Sequence, residues 1–469
     1  PLMSALENSL LLDTHVLVFM PDHLTSCDTE SYRTVQDFCG RVLRTLREVD
    51  RYPYATNSMI YMCGDIEAIM GALPPAQQLL PTVNRWVIER LSSNFSVRDP
   101  RYRPIPLGEV PLYMCGVGIY FPRVGDVQAN YFSRVDREHQ FQMLTDSDKL
   151  SSAFRKGIYL SRVARDETGH LNFNMLRCST NFDGPTDNFC PTDTEIIERL
   201  NELARPYCQL PVTFNHVLAQ IYYNRVESVT TTGPDGVTVT KDVSKKASIS
   251  AHSDKTKDMP ADGMIAFCTF YDSAKLVPTA QWGWDYIYKK ATMLTKLRFR
   301  CKPEAKARYP HLIVTFDVTL YPNSMFIIPL STNRLYTHQI VPSPLPVDKV
   351  PTRLGYVVRC SNTVATCRDG LTHLGGSLLE DPTPEAVTSL KALYLEENMG
   401  CDRIIYPEVN FSLNNGDYKL PIECPMIPMI PMIPMIIAPV EDKLLLLGDM
   451  NKFARHDFSY RPYPVFHFR

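Results

Sequence analysis

The sequence lacks an excess of charge of either sign: 49 Lys and Arg stand against 51 Asp and Glu, for a formal net charge of −2. A bulk basic field is therefore excluded, and any surface for a polyanion has to be a local patch. Paired cysteines are also missing. None of the 13 Cys forms a C-x-x-C pair, and an odd number spread from Cys27 to Cys424 fits neither a disulfide framework nor a structural zinc site. Reduced thiols in an intracellular setting, nuclear or cytoplasmic, are expected. No stretch of about 18 apolar residues is present to span a bilayer. No charged stretch precedes an apolar one at the amino end, as a secretory signal would require. What remains is ordinary globular usage, 44% hydrophobic and 21% charged over 469 residues, enough for roughly two or three domains.

The pattern divides the chain at 1–150, 151–375 and 376–469. In the first part, Val35, Phe38, Val42, Leu43, Leu46 and Val49 recur at three- and four-residue steps, which predicts one amphipathic helix. Pro-punctuated apolar segments follow, then a strand-like run over Val110–Phe121. No catalytic signature occurs there, so this part reads as a mixed α/β scaffold or lid. Thr192 and Glu195 have capping-box spacing and Pro206 supplies a stop, which predicts a helix over Thr192–Arg205. From Val212 to Ser361 the chain turns to short runs of Val, Ile, Phe, Tyr and Thr split by turn residues, the signal of an antiparallel sandwich or barrel. One hairpin is nearly explicit, Val226–Thr232 and Val237–Val243 about a Gly-Pro-Asp-Gly turn. A helix is expected near Pro384–Glu396. At 425–436 Pro-Met-Ile repeats four times, leaving an extended segment that reads as a docking arm or as a repeat expansion.

The chemistry concentrates in the β region. His252 and Asp254 end a strand, Ile249-Ser250-Ala251-His252-Ser253-Asp254, and residues i and i+2 share a face. An imidazole beside a carboxylate suits ferrous iron, which in oxygenases takes two His and one carboxylate and keeps its other positions open. His338, after an apolar strand and polar turn from Met325, supplies a second imidazole; His311 competes for that role. Arg353 and Arg359 lie six apart in Arg-Leu-Gly-Tyr-Val-Val-Arg, on one face of a strand. Two guanidiniums on an apolar strand need anionic partners, and a dicarboxylate would meet that need through a two-pronged bond.

The order His-x-Asp, His, Arg-x5-Arg resembles the iron(II)- and 2-oxoglutarate-dependent dioxygenases, and the arginine spacing most resembles the AlkB-like branch. Phe214-Asn215-His216-Val217-Leu218-Ala219-Gln220-Ile221-Tyr222 is similar to the AlkB strand that runs from Phe-Asn to Asn-x-Tyr, with Gln220 in place of the family's Asn and Tyr223 competing with Tyr222. The TET and J-binding enzymes share the wider scheme. The resemblance runs from Phe214 to Arg359 only. It implies an α+β fold with a double-stranded β-helix, or jelly-roll, core over about 211–365, helical support and a mixed amino-terminal domain. It also implies Fe(II) on His252, Asp254 and His338, and 2-oxoglutarate touching Gln220 and Tyr222. Arg353 would anchor the far carboxylate, and Arg359 would lie at the iron-side carboxylate or orient Asp254. A different organic reductant stays open as cosubstrate. The implied activity is hydroxylation of a C–H bond, foremost the methyl group of a modified base such as 5-methylcytosine in nucleic acid, DNA before RNA. The same chemistry on a protein side chain or metabolite is the alternative, and a non-catalytic binding domain is a third reading.

Residues after the His-x-Asp bear on the substrate. Trp282, Trp284, Tyr286 and Tyr288 alternate, so as a strand they form one ring ladder, to stack a base or to pack on the core. Lys289, Lys290, Lys296, Arg298, Arg300, Lys302, Lys306 and Arg308 follow, with Glu304 as the one acid between Lys289 and Arg308. They read as a phosphate-binding patch or as a solvated face. Lys255 and Lys257, next to Asp254, are expected at the pocket mouth, and the polar turn cluster Ser179–Asn188 reads as a recognition loop or a linker.

Overall fold

The computed structural model describes residues 14–21, 34–78, 84–126, 129–143, 155–177, 183–207, 213–232, 238–272, 285–286, 291–292 and 294–423. All lie in one unit, Pro1–Cys424; the Pro-Met-Ile repeat and the Gly-Pro-Asp-Gly turn fall outside the described residues.

A parallel sheet opens the chain: β1 (His15–Phe19), β2 (Arg41–Leu43), β3 (Met59–Cys63), β4 (Arg85–Ile88) and β5 (Arg103–Ile105), in the order β2-β1-β3-β4-β5. Both faces are covered, which is why β1 and β3 read as unbroken apolar runs. Val16, Val18, Ile60 and Met62 face the helix Ile66–Ala72, whereas Leu17, Phe19, Tyr61 and Cys63 join the central core. The single helix expected over residues 35–49 does not form. The stretch breaks into a turn of helix at 34–37, strand β2 and the helix Leu46–Arg51. Gly40 explains the break, because a Cβ there would sit 2.0 Å from the His15 carbonyl oxygen. The chain passes too close to β1 for any other residue, and pairing with β1 outcompetes the helical period.

From residue 112 the sheets are almost wholly antiparallel. Nine strands form the largest: β6 (Leu112–Met114), β7 (Gly118–Phe121), β8 (Gln142–Met143), β9 (Arg155–Ser161), β12 (Asp187–Asn188), β13 (His216–Tyr222), β17 (Met264–Tyr271), β22 (Ser324–Pro329) and β24 (Arg353–Arg359). They run β12-β9-β13-β24-β17-β22-β7-β6, with β8 on β9. A four-stranded sheet of β16 (Ile249–His252), β23 (Tyr336–Val341), β20 (Lys296–Cys301) and β21 (Thr315–Thr319) shares one apolar cluster with it, including Phe267, Phe326, Leu297, Phe299 and Tyr336. The other face of β17, Ala266, Cys268 and Phe270, packs with Ile196, Ile197 and Leu200 of the helix Pro191–Ala204. The result is a layered order of helix, large sheet, small sheet.

β10 (Ala164–Arg165), β11 (Leu171–Met175), β25 (Thr363–Arg368), β26 (Leu371–Leu374) and β27 (Ser377–Leu378) build a further sheet. β14 (Asn224–Thr232) and β15 (Thr238–Lys246) form the expected hairpin, and β18 (Asp285–Tyr286) pairs with β19 (Ala291–Thr292). The helix at 191–204 is capped two residues earlier than its sequence suggests, with the Cys190 amide donating to Asp193. The helix Pro384–Met399 runs as expected. No helix among the described residues is long and apolar enough to cross a membrane. The nine cysteines among them are all free thiols.

Candidate metal centre

Antiparallel pairing of β16 with β23 sets His252 directly opposite His338, and the loop that leaves β16 turns Asp254 toward both rings. The imidazole centroids are 4.5 Å apart. Asp254 Oδ1 lies 3.6 Å from His252 Nε2 and 3.7 Å from His338 Nε2. These separations are too long for hydrogen bonds. Ligands about 2.1 Å from one ion, at right angles, stand about 3.0 Å apart, so a modest contraction closes the three around a cation.

The surroundings fix each donor. His252 Nδ1 donates to the Ser250 carbonyl at 2.8 Å, which turns Nε2 toward Asp254. His338 is 5% exposed, and Phe267 packs edge-on at 5.1 Å. Burial, with His252 and Arg359 nearby, pushes its imidazole down to about 3 despite Asp254, so the ring is neutral and able to coordinate. Burial would raise the Asp254 carboxyl, but Arg359 and the two imidazoles hold it well below the usual carboxylate range. Arg359 Nε and Nη2 both reach Asp254 Oδ2 at 2.8 Å, so Oδ1 alone faces the imidazoles. Asn333 clamps the Asp254 backbone at both ends, accepting from its N–H at 2.9 Å and donating to its carbonyl at 2.9 Å. The donor set, one carboxylate oxygen and two imidazole nitrogens, could hold a metal ion.

A narrow cavity of about 60 Å³ adjoins the three. Even spacing along β24 puts Arg353, Gly355, Val357 and Arg359 on the face that lines it. Across the ladder, Tyr222 pairs with Arg353 and Gln220 with Gly355, and both reach the cavity. The Tyr222 hydroxyl donates to Gln220 Oε1 at 2.9 Å. Arg353 lies over the Tyr222 ring, 3.9 Å from its centroid, and is only 4% exposed. Its Nε and Nη2 are buried with no hydrogen-bond partner among the described residues. Gly355 makes this stack feasible, since a Cβ would meet Arg353 Nη1 at 2.8 Å and Tyr222 Cε2 at 2.9 Å. Thr269 Oγ1, also buried and without a hydrogen-bond partner among the described residues, lines the same space.

Other sequence candidates lie elsewhere. His311 is exposed and sits edge-on to Tyr309, outside the cluster. Lys257 does not line the metal cavity: it lines a separate pocket of about 220 Å³, with its side chain buried against Asp258, Nζ to Oδ1 3.0 Å. Lys255 sits over the Tyr394 ring of the helix Pro384–Met399. Arg298 and Arg300 occupy the face of β20 opposite Leu297, which lines the cavity, and Arg298 is tied to Asp317 at 2.7 Å and 2.9 Å. Lys302 and Lys306 donate to backbone carbonyls and Arg308 to Asp402, so much of the basic run is already partnered. Tyr286 lies on β18, while Trp282, Trp284, Tyr288, Lys289 and Lys290 fall outside the described residues.

Asn333, Gly355 and Thr269 were not evident from sequence; only Gly355 carried a signal, as the small residue inside Arg-x5-Arg. A second group, Glu138, His139, Cys190 and Asp193, also clusters. It is satisfied without an ion. His139 bridges Asp187 at 2.8 Å and Asp193 at 2.7 Å, and Glu138 accepts from Thr192. No family model and no curated protein matches the chain.

Proposed function

We propose that the chain is an Fe(II)- and 2-oxoglutarate-dependent dioxygenase, and that the two sheets sharing the cavity are the faces of a double-stranded β-helix. One observation carries the reading: a His-Asp-His set lines the same cavity as a buried guanidinium, Arg353, two of whose nitrogens have no hydrogen-bond partner among the described residues. A buried unpaired cation is costly, and a diacid reaching from the metal to Arg353 removes that cost.

A ferrous ion with 2-oxoglutarate supplies the oxidation, in which O2 delivers one atom to succinate and one to a substrate C–H bond while carbon dioxide leaves. The chain's part is placement. His252, Asp254 and His338 hold the ion, and Arg359 keeps one Asp254 oxygen turned inward. Arg353 grips the far carboxylate, with Tyr222 as its platform and Gln220 orienting the phenol. Phe267 and Leu297 keep the cavity apolar at the metal end.

The substrate we favour is the methyl group of a modified base in nucleic acid. The hairpin joining β13 to β16 supports it, since Lys241 and Lys245 lie four residues apart on β15 and share one of its faces. The ion pairs of Arg298 and Lys257 favour a second reading, the same reaction on a protein side chain or metabolite. Incubation of iron-loaded protein and 2-oxoglutarate with methylated DNA, RNA, peptide and metabolite panels, read for succinate and oxidised product by mass spectrometry, separates the two. Base-dependent succinate from DNA or RNA is expected. None above the substrate-free background would remove the nucleic-acid assignment.

A further inference from the structure

A second pocket, of about 440 Å³, lies between the amino-terminal parallel sheet and the helix Pro191–Ala204. That volume falls within the roughly 300–1,000 Å³ of small-molecule sites. It shares no lining residue with the metal centre. Strand register builds one wall. Tyr61 on β3 is the partner of Trp86 on β4, and Trp86 is the partner of Arg103 on β5, so the three side chains stand in a row on one face. The Tyr61 and Trp86 rings are stacked, with centroids 4.9 Å apart and planes within 16°. Behind Tyr61 the column continues through His15 to Tyr207, each step within 17° of parallel. Tyr61 and Tyr207 are buried, whereas Trp86 is half-buried and ends the column at the pocket.

The charges are distributed unevenly. Glu109 and Glu202 line the pocket, but both are bonded to Arg199. Arg103 and Arg205 are exposed, and among the described residues neither side chain has a hydrogen bond or ion pair. A stacked aromatic wall is thus flanked by two guanidiniums without partners among the described residues, with the Asn84 amide just before β4 to meet a polar ring edge. Flat rings stack on such a wall whatever their substituents, and guanidinium prefers carboxylate or phosphate.

The geometry points to a binding site for a planar heteroaromatic ring carrying an anionic group, of the size of a nucleoside monophosphate. The ring lies against Trp86 and the anion is held by Arg103 and Arg205. This site is separate from the oxygenase reading and does not depend on it.

Isothermal titration of the full chain with AMP, adenosine and inorganic phosphate tests it. AMP gives saturable binding, adenosine binds about tenfold more weakly for want of the charge-assisted bond, and phosphate alone gives no saturable heat. Arg103→Ala, at an exposed position that leaves the melting temperature unchanged, lowers AMP affinity to that of adenosine. Trp86→Ala abolishes both, and His338→Ala leaves AMP affinity as it was. The proposal is overturned by no saturable AMP binding at millimolar concentration, by unchanged AMP affinity in Arg103→Ala and Trp86→Ala, or by loss of AMP binding in His338→Ala.

Discussion

Replacing Arg353 by Met separates a cosubstrate anchor from a structural cation, because the two roles predict opposite signs. In the metal-free protein the guanidinium is 4% exposed, and its Nε and Nη2 have no partner among the described residues. Each such buried donor costs about 1–3 kcal/mol, and the stack on Tyr222 returns about 1–2 kcal/mol. Methionine fills similar space without either term, and apolar replacements of buried charges range from neutral to stabilising. Urea unfolding of metal-free Arg353→Met should therefore show stability unchanged or raised by up to about 2 kcal/mol. Cosubstrate binding moves the other way. A two-pronged charge-assisted bond contributes about 1.5–3 kcal/mol, so the dissociation constant for 2-oxoglutarate in anaerobic, iron-loaded protein should rise roughly 10- to 100-fold by calorimetry. Marked destabilisation with 2-oxoglutarate affinity unchanged would refute the reasoning and make Arg353 a structural residue.

Asp254→Ala should abolish iron binding and lower stability by about 3 kcal/mol in urea, since Arg359 loses the carboxylate it grips at 2.8 Å; wild-type stability in this variant would contradict the buried pair. Gly355→Ala should displace Arg353 and weaken 2-oxoglutarate about tenfold while iron affinity holds, by the same calorimetry. Equal loss of both ligands would show a general collapse of the cavity instead. Burial opposes the charge on His139, but its bonds to Asp187 and Asp193 prevail and raise it to about 10. Its folded value thus exceeds its unfolded value of about 6.5, so its contribution is complete below that pH and is lost as pH rises through about 10. Urea midpoints of wild type and His139→Gln should differ most below pH 6.5 and converge above pH 10; a constant gap would remove the imidazolium bridge.

Much of the site was legible because it depends on local period. The six-residue step of Arg353 and Arg359 puts both side chains on one strand face wherever the strand sits, whereas Asp254 lies beyond the end of β16 and meets His252 through the turn of the loop, so the i, i+2 argument reached the right pair without the strand it assumed. The short β runs and the hairpin at 224–246 were readable for the same reason. What failed depends on distant partners. The pairing of β2 with β1 overrode a helical period at 35–49, and Gly40 shows why only after His15 is seen beside it. Arg298 looked like part of a free cationic run because Asp317 enters only through the register of β20 with β21. Lys257 looked exposed until Arg177 and Asp258 enclosed it in a buried charge network. Asn333 left no trace, since its role is to bridge backbone groups brought close by folding.

The central claim is that the imidazoles of residues 252 and 338 and the carboxylate of residue 254 hold one ferrous ion. Anaerobic titration of the metal-free chain with Fe(II), compared with His252→Ala, Asp254→Ala, His338→Ala and His311→Ala, measures it directly. One ion per chain in wild type and His311→Ala, with binding lost in the other three, is the expected result. No iron uptake by the wild type, or unchanged stoichiometry and affinity in all four variants, would contradict it.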